Sequence, residues 1–364
     1  MDKLLYITLE EPINGKNTGV IKKIKSQCFV LNEKHFEVFL SGYGVDNDYI
    51  IMKNNTVISS KKINKNIFTN KYIFGFIFDF IMRNNINKIY VRRFRATPLS
   101  IRFFNKLKKK GVKIFIEIPT YPYDGEVKSI KSKLGLIVDK IFRKEYKKYI
   151  SKVVTYSEDE FIFGIKCINI SNGIDKKDII HDKNSFKSKH VYECISVSSM
   201  CHWHGIDRFL NGIKKNHNII FHIVGPKNLY YNDLYNIVKN KGLEDKVIFH
   251  GFLDHEQLKA IYKKCHIAIG SLGRHRSGIE NLSSLKNREY IAKGLPIVYS
   301  ENDRDFDNEG FVFKVTADES YVEIDDLLAW YGNLSISSEY MTNIANKFTW
   351  DEQMKLVIDE LKNA

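Results

Sequence analysis

The segment 271–300 (SLGRHRSGIENLSSLKNREYIAKGLPIVYS) holds the residues with the clearest chemical potential. One of two adjacent serines can cap a helix start, and a Gly-Leu-Pro sequence ends that helix before an apolar strand. Lys286 and Arg288 bring fixed positive charges near the helix start, and the carboxylate of Glu289 can accept hydrogen bonds from hydroxyl groups. This pattern indicates a site for an anionic, hydroxyl-rich ligand, and a nucleotide sugar needs these same groups.

A second candidate segment is 113–126 (KIFIEIPTYPYDGE), in which an apolar run leads into two prolines and two tyrosines. Prolines restrict the loop, and Tyr121 and Tyr123 can pack on sugar rings. Glu117 and Asp124, with Glu126 after them, offer carboxylates that could bind hydroxyl groups or act as a base. We expect this segment to contact substrate, the alternative being a structural proline-rich turn.

Other loops offer weaker signals. Gly19 lies in a loop after the first predicted strand and leads into a helix whose N–H groups could face a phosphate, although glycines there are as often simple turn residues. Arg92, with Arg93 and Arg95 after it, follows another strand end, and we expect one of the three to point into a cleft. His204 and His202 follow a later strand; without a third ligand at suitable spacing they favour diphosphate contact or packing over a metal site.

The 364 residues carry a formal net charge of +14, and the charge is uneven. Residues 1–170 hold 32 Lys and Arg against 16 Asp and Glu, whereas residues 171–364 hold 25 against 27. Within the basic half, residues 128–150 carry eight basic and two acidic side chains, with apolar residues at helical spacing. This pattern favours an anionic membrane surface or a phosphorylated lipid as a binding partner, and a solvated charged helix is the alternative. The absence of a nucleic-acid-binding module argues against nucleic acid as a partner.

Five cysteines without C-x-x-C spacing support neither a disulfide framework nor a zinc site. We therefore expect a reducing, cytoplasmic location. The first residues read as a strand rather than a signal peptide. The most apolar run, 72–82, contains Asp79 and predicts a buried or interfacial helix rather than a membrane span.

Short β-branched runs alternate with amphipathic stretches, which is typical of parallel α/β sheets. The sequence predicts an N-terminal domain over 1–175, a linker over 176–190 and a second domain over 191–348. A C-terminal helix, 349–364, completes the chain. Ligands of open parallel sheets bind outside the carboxyl ends of the strands, so we expect the active site in a cleft between the two domains.

The order of these segments resembles the retaining glycosyltransferases of family 4, which have the two-domain GT-B architecture. The resemblance covers nearly the whole chain and rests on VVTYSE, INISNGID, WHGIDRFL, the run VIFHGFLDHEQLKAIYKKCHIAIGSL, LKNREYIAKGLPIV and FTWDEQ. It implies an α/β fold of the GT-B type, in which two Rossmann-like parallel-sheet domains face a cleft and the last helix crosses back to the first domain. It also implies transfer from a nucleotide diphosphate sugar, with a UDP-sugar as the family-level expectation, retention of configuration, and neither a cofactor nor a catalytic metal.

Several site residues follow from this resemblance. Glu289 matches the second Glu of the family's E-x7-E motif, which holds the ribose hydroxyls, whereas Asn281 stands at the first Glu and Glu280 precedes it. Ser199 and His204 stand where the family has its phosphate-binding Arg and Lys. We therefore expect the diphosphate to be neutralised by cations of the first-described segment, namely Arg274, Arg276, Lys286 and Arg288.

The closest segment similarities are to enzymes that build bacterial capsule, exopolysaccharide or O-antigen repeat units. They imply a polyprenyl-diphosphate-linked acceptor at the inner face of the cell membrane, bound by the basic first domain. Arg92, Tyr121 and Tyr123 are the expected acceptor-side residues, with Glu117 or Asp124 near the acceptor hydroxyl. Two alternatives stay open: a sugar-nucleotide epimerase of the same fold, and a non-catalytic nucleotide-sugar or membrane-binding module.

Overall fold

The computed structural model describes residues 2–13, 18–63, 69–124, 130–180 and 190–364. Its strands are β1 Asp2–Ile7, β2 Phe36–Tyr43, β3 Asp48–Lys53, β4 Thr56–Lys62, β5 Lys88–Arg92, β6 Lys113–Ile118, β7 Lys152–Thr155, β8 Phe161–Ile162, β9 Ile165–Asn169, β10 Tyr192–Val197, β11 Ile219–Val224, β12 Val247–Gly251, β13 Ile267–Ile269, β14 Ile297–Tyr299 and β15 Val312–Lys314. Its α-helices are α1 Thr18–Glu33, α2 Thr69–Arg83, α3 Pro98–Lys109, α4 Ile130–Phe142, α5 Ile206–Gly212, α6 Leu229–Lys241, α7 His255–Lys264, α8 Leu285–Ala292, α9 Ile324–Gly332, α10 Ser338–Lys347, α11 Trp350–Gln353 and α12 Lys355–Lys362.

The chain divides into two compact units, Met1–Ser171 with Trp350–Ala364 and Asn172–Thr349. The first boundary falls at residue 171, a few residues before the predicted one at 175. Of the predicted linker, residues 176–178 form a short 3-10 helix that belongs to the second unit. Residues 181–189 lie outside the described part of the chain.

The first unit is built on a sheet with the strand order β4-β3-β2-β1-β5-β6-β7-β9-β8. Its centre is parallel, with β1 between β2 and β5. Apolar residues of α2 and α3 form one buried cluster with the sheet, and residues of α1, α11 and α12 form another. The C-terminal segment is therefore part of the first unit's core, as the family resemblance implies.

The second unit has a fully parallel sheet with the order β12-β11-β10-β13-β14-β15. The order reverses between β10 and β13, because β10 pairs with β11 on one side and with β13 on the other. In open parallel sheets, ligands bind at the carboxyl ends of the strands at such a switch point. We therefore expect a ligand-binding site at the loops after β10 and β13.

The β-branched runs predicted as strands form strands, and the apolar run 72–82 lies in α2, with Ile73, Ile77 and Ile81 buried. The antiparallel extension β3–β4 was not predicted. It turns at Asn54 and Asn55, which both have positive φ, as asparagines in tight hairpin turns often do. No α-helix of the described residues is long and apolar enough to cross a membrane.

Candidate functional site

The loops after β10 and β13 lie in direct contact. The first contains a short 3-10 turn, His202–His204, followed by Gly205 at φ 63°. A side chain at Gly205 would place its Cβ 2.6 Å from the backbone nitrogen of Gly273, so only glycine allows this approach. The carbonyl of His204 accepts a hydrogen bond from the Leu272 amide at 2.9 Å. His204 is thereby held against the segment that carries Arg274.

Two half-buried cations of this region each have a buried nitrogen without a hydrogen-bond partner among the described residues: Nζ of Lys286 and Nε of Arg274. Burial lowers the pKa of Lys286 to about 8 and also lowers the pKa of Arg274. An unpaired buried charge is costly, and proteins normally satisfy it with an opposite charge or a ligand. The pair is thus poised for an anion.

His204 lies beside these cations and is itself buried. Burial, and then the charges of Lys286 and Arg274, lower its pKa to about 2, so the ring is neutral. Its Nδ1 accepts the amide hydrogen of Cys201 at 3.0 Å, which leaves the ring proton on Nε2. His204 therefore offers this cluster a neutral hydrogen-bond donor.

Glu301 lies two residues after the end of β14 and completes the cluster. It is 1% exposed, and its Oε2 has no hydrogen-bond partner among the described residues. Burial raises its pKa to about 7, against the opposing effect of Arg274 and Lys286. Glu301 was not among the predicted site residues, although a charged residue two positions after a buried strand is a signal that could have pointed to it.

α8 brings Lys286 into the cluster. Ser284 is the residue before the helix, as predicted, but its side chain makes no capping hydrogen bond. At the other end the helix stops at Ala292, and Gly294 adopts φ 65°, as the Gly-Leu-Pro sequence predicts. Glu289 is half-buried and three residues beyond Lys286, so both lie on the same side of the helix.

Two of the predicted phosphate cations are already engaged with carboxylates. Arg276 donates to both oxygens of Asp207, at 2.9 and 2.8 Å, and also pairs with Glu319. Arg288 is 0% exposed and pairs with Asp303 and Asp305. We therefore leave Arg276 and Arg288 out of the anion site, because their charges are balanced within the second unit.

Glu280 and Asn281 are exposed and belong to a short extended stretch. The carbonyl of Glu280 accepts the Asn302 amide at 2.7 Å, and Oδ1 of Asn281 accepts from Nδ2 of Asn302 at 3.1 Å. Asn302 is the next residue after Glu301. Its hydrogen bonds to Glu280 and Asn281 therefore connect the segment that contains the E-x7-E-like motif to the buried cluster.

In the first unit, Glu117 differs from the accessible carboxylate that a catalytic role would need. It is fully buried on β6, where Arg92 donates to Oε1 at 2.6 Å and Lys23 lies 3.2 Å from the same oxygen. Gln27 and Tyr90 donate to Oε2. Burial alone would raise the pKa of Glu117, but Lys23 and Arg92 outweigh it and hold that pKa at about 2. Glu117 positions Arg92 and does not itself reach a substrate in this arrangement.

The other predicted first-unit residues have defined partners. Asp124 pairs with Arg143 at 2.7 Å and with Lys140 at 3.0 Å, and the Arg143 hydrogen bond is the largest of the effects that lower its pKa. Tyr123 is buried, and its hydroxyl donates to Asp139 at 2.7 Å. Tyr121 packs edge-to-face on Tyr123.

Gly19 lies near the start of α1, and a Cβ there would meet no atom within 4 Å. Gly15 and Glu126 lie outside the described residues.

One group of the described residues has metal-ligand chemistry: Glu193, His222 and Cys265, whose ligand atoms lie within 4.8 Å of one another. His222 already uses both ring nitrogens, with Nε2 3.0 Å from Glu193 Oε2 and Nδ1 2.9 Å from His250 Nε2. A chain of hydrogen bonds accounts for this group, and we assign no role to it.

These two units, each an open sheet with a parallel core covered by helices, define a GT-B fold. Comparison with solved structures agrees over the whole chain. A glycosyltransferase from Rickettsia africae ESF-5 is 14% identical, covering 100% of this chain and 98% of the other, with a TM-score of 0.71. Sucrose-phosphate synthase from Thermosynechococcus elongatus is 14% identical with 100% of both chains covered and a TM-score of 0.68. WaaG, a glycosyltransferase involved in lipopolysaccharide biosynthesis, is 10% identical, covering 99% and 100%, with a TM-score of 0.64.

Residues 177–328, which hold the buried cluster, match the family described as "Glycosyl transferases group 1". No curated protein matches the chain. The fold is thus GT-B, and the second unit carries the signature of a glycosyltransferase family.

Proposed function

We propose that the protein is a retaining glycosyltransferase that takes a sugar from a nucleotide diphosphate donor, with UDP as the expected nucleotide. The observation that carries this proposal is that Nζ of Lys286 and Nε of Arg274 are buried without a hydrogen-bond partner among the described residues, by the switch point of the second unit's sheet. A diphosphate would supply the missing negative charge. The glycosyltransferase family match over the same residues supports this reading.

In the proposed reaction the diphosphate departs from the donor sugar and gains negative charge as it leaves. Lys286 and Arg274 stabilise that charge from fixed positions in a site where water is scarce, so their effect is large. The Nε2 proton of His204 adds a hydrogen bond without adding a charge. The acceptor hydroxyl attacks from the face that the diphosphate leaves, which retains the configuration. Glu289 holds the ribose hydroxyls, while Asn281 or Glu280 contacts the transferred sugar.

The test measures nucleotide diphosphate release from a panel of nucleotide sugars, with and without a lipid-linked saccharide acceptor. We expect Lys286→Met to lower kcat by about 10²- to 10³-fold, as removal of one preorganised charge does in other enzymes. Glu289→Ala should also lower turnover strongly. The exposed Lys263→Met and Glu256→Ala serve as matched controls within the same unit.

The outcomes separate the candidate functions. Acceptor-dependent release that falls in the Lys286 variant supports a transferase. Release-free conversion of the donor into an isomer would favour the epimerase, and binding without turnover would favour a non-catalytic module. Near wild-type kinetics of both Lys286→Met and Glu289→Ala would contradict the assigned site.

We further propose that the acceptor is a polyprenyl-diphosphate-linked saccharide used for bacterial surface polysaccharide, and that the protein binds the inner face of the cell membrane. The support lies on α4. Four apolar side chains at helical spacing point to solvent there: Leu134 (61% exposed), Ile137 (55%), Val138 (37%) and Ile141 (64%). Exposed lysines accompany this stripe at positions 133, 140, 144, 147 and 148. An apolar stripe between cations fits an anionic lipid surface.

Vesicle flotation tests the membrane part. We expect the protein to float with vesicles containing phosphatidylglycerol and less with purely zwitterionic ones, and high salt to weaken binding. Leu134→Gln and Ile141→Gln should reduce flotation, while Leu356→Gln, at an equally exposed leucine of α12, should not. Equal flotation of all three variants would overturn the assignment of α4.

A further inference from the structure

The first unit contains a cavity of about 540 Å³ beneath α4. Its floor is the extended segment that follows β5, and its walls come from α2, α4, the loop after β1 and Tyr123. The lining residues are Leu9, Asn70, Ile73, Phe74, Arg93, Phe94, Arg95, Thr97, Tyr123, Ser132 and Leu136. The cavity thus combines an apolar wall with two guanidinium groups and three hydroxyl groups.

The guanidinium groups of Arg93 and Arg95 have no hydrogen-bonded or ion-paired partner within the described ranges. Arg93 is half-buried and lies over the ring of Tyr123, with its central carbon 3.2 Å from the ring centroid. Stacking of this kind leaves the N–H groups at the edge of the guanidinium free to bind a planar or tetrahedral anion. Tyr123 is fixed in turn, because its hydroxyl donates to Asp139.

Arg95 is held at the cavity by its fit against α4. A Cβ at Gly135 would lie only 2.3 Å from Nη1 of Arg95, so the absence of a side chain at this position makes room for the guanidinium. Ser132 and Leu136 of the same helix line the cavity. The exposed apolar stripe described above lies on the opposite side of α4, because its residues are displaced by about half a turn from Ser132 and Leu136.

We propose that this cavity binds a phosphate-bearing amphiphile, with the phosphate between Arg93 and Arg95 and the first part of the apolar chain against Leu9, Phe74 and Leu136. Two unpaired guanidinium groups are the side chains best suited to a phosphate, and the apolar wall excludes a purely hydrophilic anion as the preferred ligand. One helix would then touch the bilayer with its outer face and the lipid phosphate with its inner face. The inference rests on the proposed function, whose lipid-linked acceptor it anchors.

The test is a binding titration of the full chain with farnesyl phosphate as a soluble probe. Farnesol, inorganic phosphate and phosphatidylglycerol vesicles are the comparison ligands, and they separate the apolar chain, the free anion and a general lipid headgroup. We expect farnesyl phosphate to bind at least about tenfold more tightly than farnesol or inorganic phosphate, since each charge-assisted contact strengthens binding appreciably. Arg93→Gln and Arg95→Gln should each weaken it by about tenfold or more.

Two further variants guard against misfolding. Arg102→Gln removes the same charge from an exposed position of α3 that does not line the cavity, and it should bind farnesyl phosphate like the wild type. Gly135→Ala displaces the flexible end of Arg95 and improves helix propensity, so it should weaken binding while the melting temperature holds or rises. Farnesol binding as tightly as farnesyl phosphate, equal binding of inorganic phosphate, or equal loss in Arg102→Gln would overturn the proposal.

Acceptor-independent release of nucleotide diphosphate tells the two proposals apart. Arg102→Gln, at an exposed residue that lines neither the cavity nor the donor site, should leave that basal release unchanged. If the probe binds as expected but the wild type turns over no donor, the proposed function fails and the cavity stands. If donor turnover is intact and the probe does not bind, the cavity assignment alone fails.

Discussion

Lys286 is an ammonium group in the protein interior with no hydrogen-bond partner among the described residues. Such a charge destabilises the unliganded protein, and its retention is understandable if a bound anion compensates for it. The carboxylate of Glu301 next to it partly neutralises the positive charge when it is ionised. Because the pKa of Glu301 is raised to about 7, this neutralisation depends on pH. The anion affinity of the site is therefore tied to two titrations close to neutrality.

The first prediction concerns this pH dependence. Lys286, with its pKa lowered to about 8, loses its positive charge as the pH rises through that value. The terminal phosphate of UDP, with a pKa near 6, keeps its charge above neutrality. We expect the dissociation constant for UDP, measured by titration calorimetry between pH 7 and 9.5, to rise by about tenfold or more, since one charge-assisted contact is lost.

Three variants check the source of that change. Lys286→Met should bind UDP weakly and should keep only the smaller decline that ionisation of Glu301 causes. The double variant Lys286→Met/Glu301→Gln should bind UDP weakly with little dependence on pH over the same range. Glu301→Gln alone should show its decline at a lower pH than the wild type, because the carboxylate of Glu301 raises the pKa of Lys286. A decline in Lys286→Met as large as that of the wild type would exclude Lys286 as its cause.

Some of these residues could be predicted from the sequence and others could not. Lys286 and Arg274 were predicted as phosphate cations because they lie beside a helix start and in a loop after a strand. The pairing of Arg276 with Asp207 was not, since the two are 69 residues apart and meet only through the contact of two loops. The sequence shows which types of residue a segment contains. It does not show which oppositely charged side chain, distant in the sequence, the fold places beside them.

The position of α12 in the fold is determined by the apolar face that the helix buries. Leu361 is 0% exposed and belongs to the apolar cluster that includes Leu4 and Tyr6 of β1, whereas Leu356 on the same helix is 61% exposed. The two leucines differ only in the face they occupy. Periodicity in the tail predicted the helix, and the same reasoning predicted most strands, because burial of alternate or regularly spaced apolar residues leaves a readable pattern.

The second prediction follows from this contrast. Leu361→Ala should lower the free energy of unfolding of the first unit by about 2–5 kcal/mol, the range observed when buried leucines are truncated. Leu356→Ala should change it by less than about 0.5 kcal/mol, as surface substitutions do. Urea denaturation followed by hydrogen exchange of each unit would show this. Equal destabilisation by both substitutions would contradict the placement of α12.

Elements without such a pattern were harder to foresee. The hairpin β3–β4 is mostly exposed on its outer strand, so hydrophobic alternation there is weak. β15 has only three residues, and it is a strand because it pairs with β14 rather than because of its composition. The exposed stripe of α4 was predicted only as a helical repeat of apolar residues, since periodicity does not say whether the apolar side faces a core or solvent.

The whole molecule consists of two units with separate cores and different charge. Lys286, Arg274, His204 and Glu301 belong to the second unit, whereas the cavity of about 540 Å³ and the basic helix α4 belong to the first. The basic residues that give the chain its excess charge lie mainly in residues 1–170. Each unit therefore carries the groups for one class of ligand.

The third prediction tests that independence. Residues 172–349, produced alone, should unfold cooperatively and bind UDP with nearly the affinity of the full chain. Circular dichroism and calorimetry would measure both properties. A loss of more than about tenfold in affinity, worth about 1.4 kcal/mol, in a fragment that folds would show that the first unit supplies part of the nucleotide site.

The order of the two units along the chain has a consequence for biosynthesis. Trp350, Met354 and Val357 are core residues of the first unit, yet they are translated after the whole of the second unit. The first 171 residues thus leave the ribosome with one layer of their interior uncovered, while the second unit is contiguous and can fold as it emerges. We expect newly made chains to expose the apolar surface of β1 and α1 until residues 350–361 have been made, which is a surface that a chaperone of nascent protein could bind.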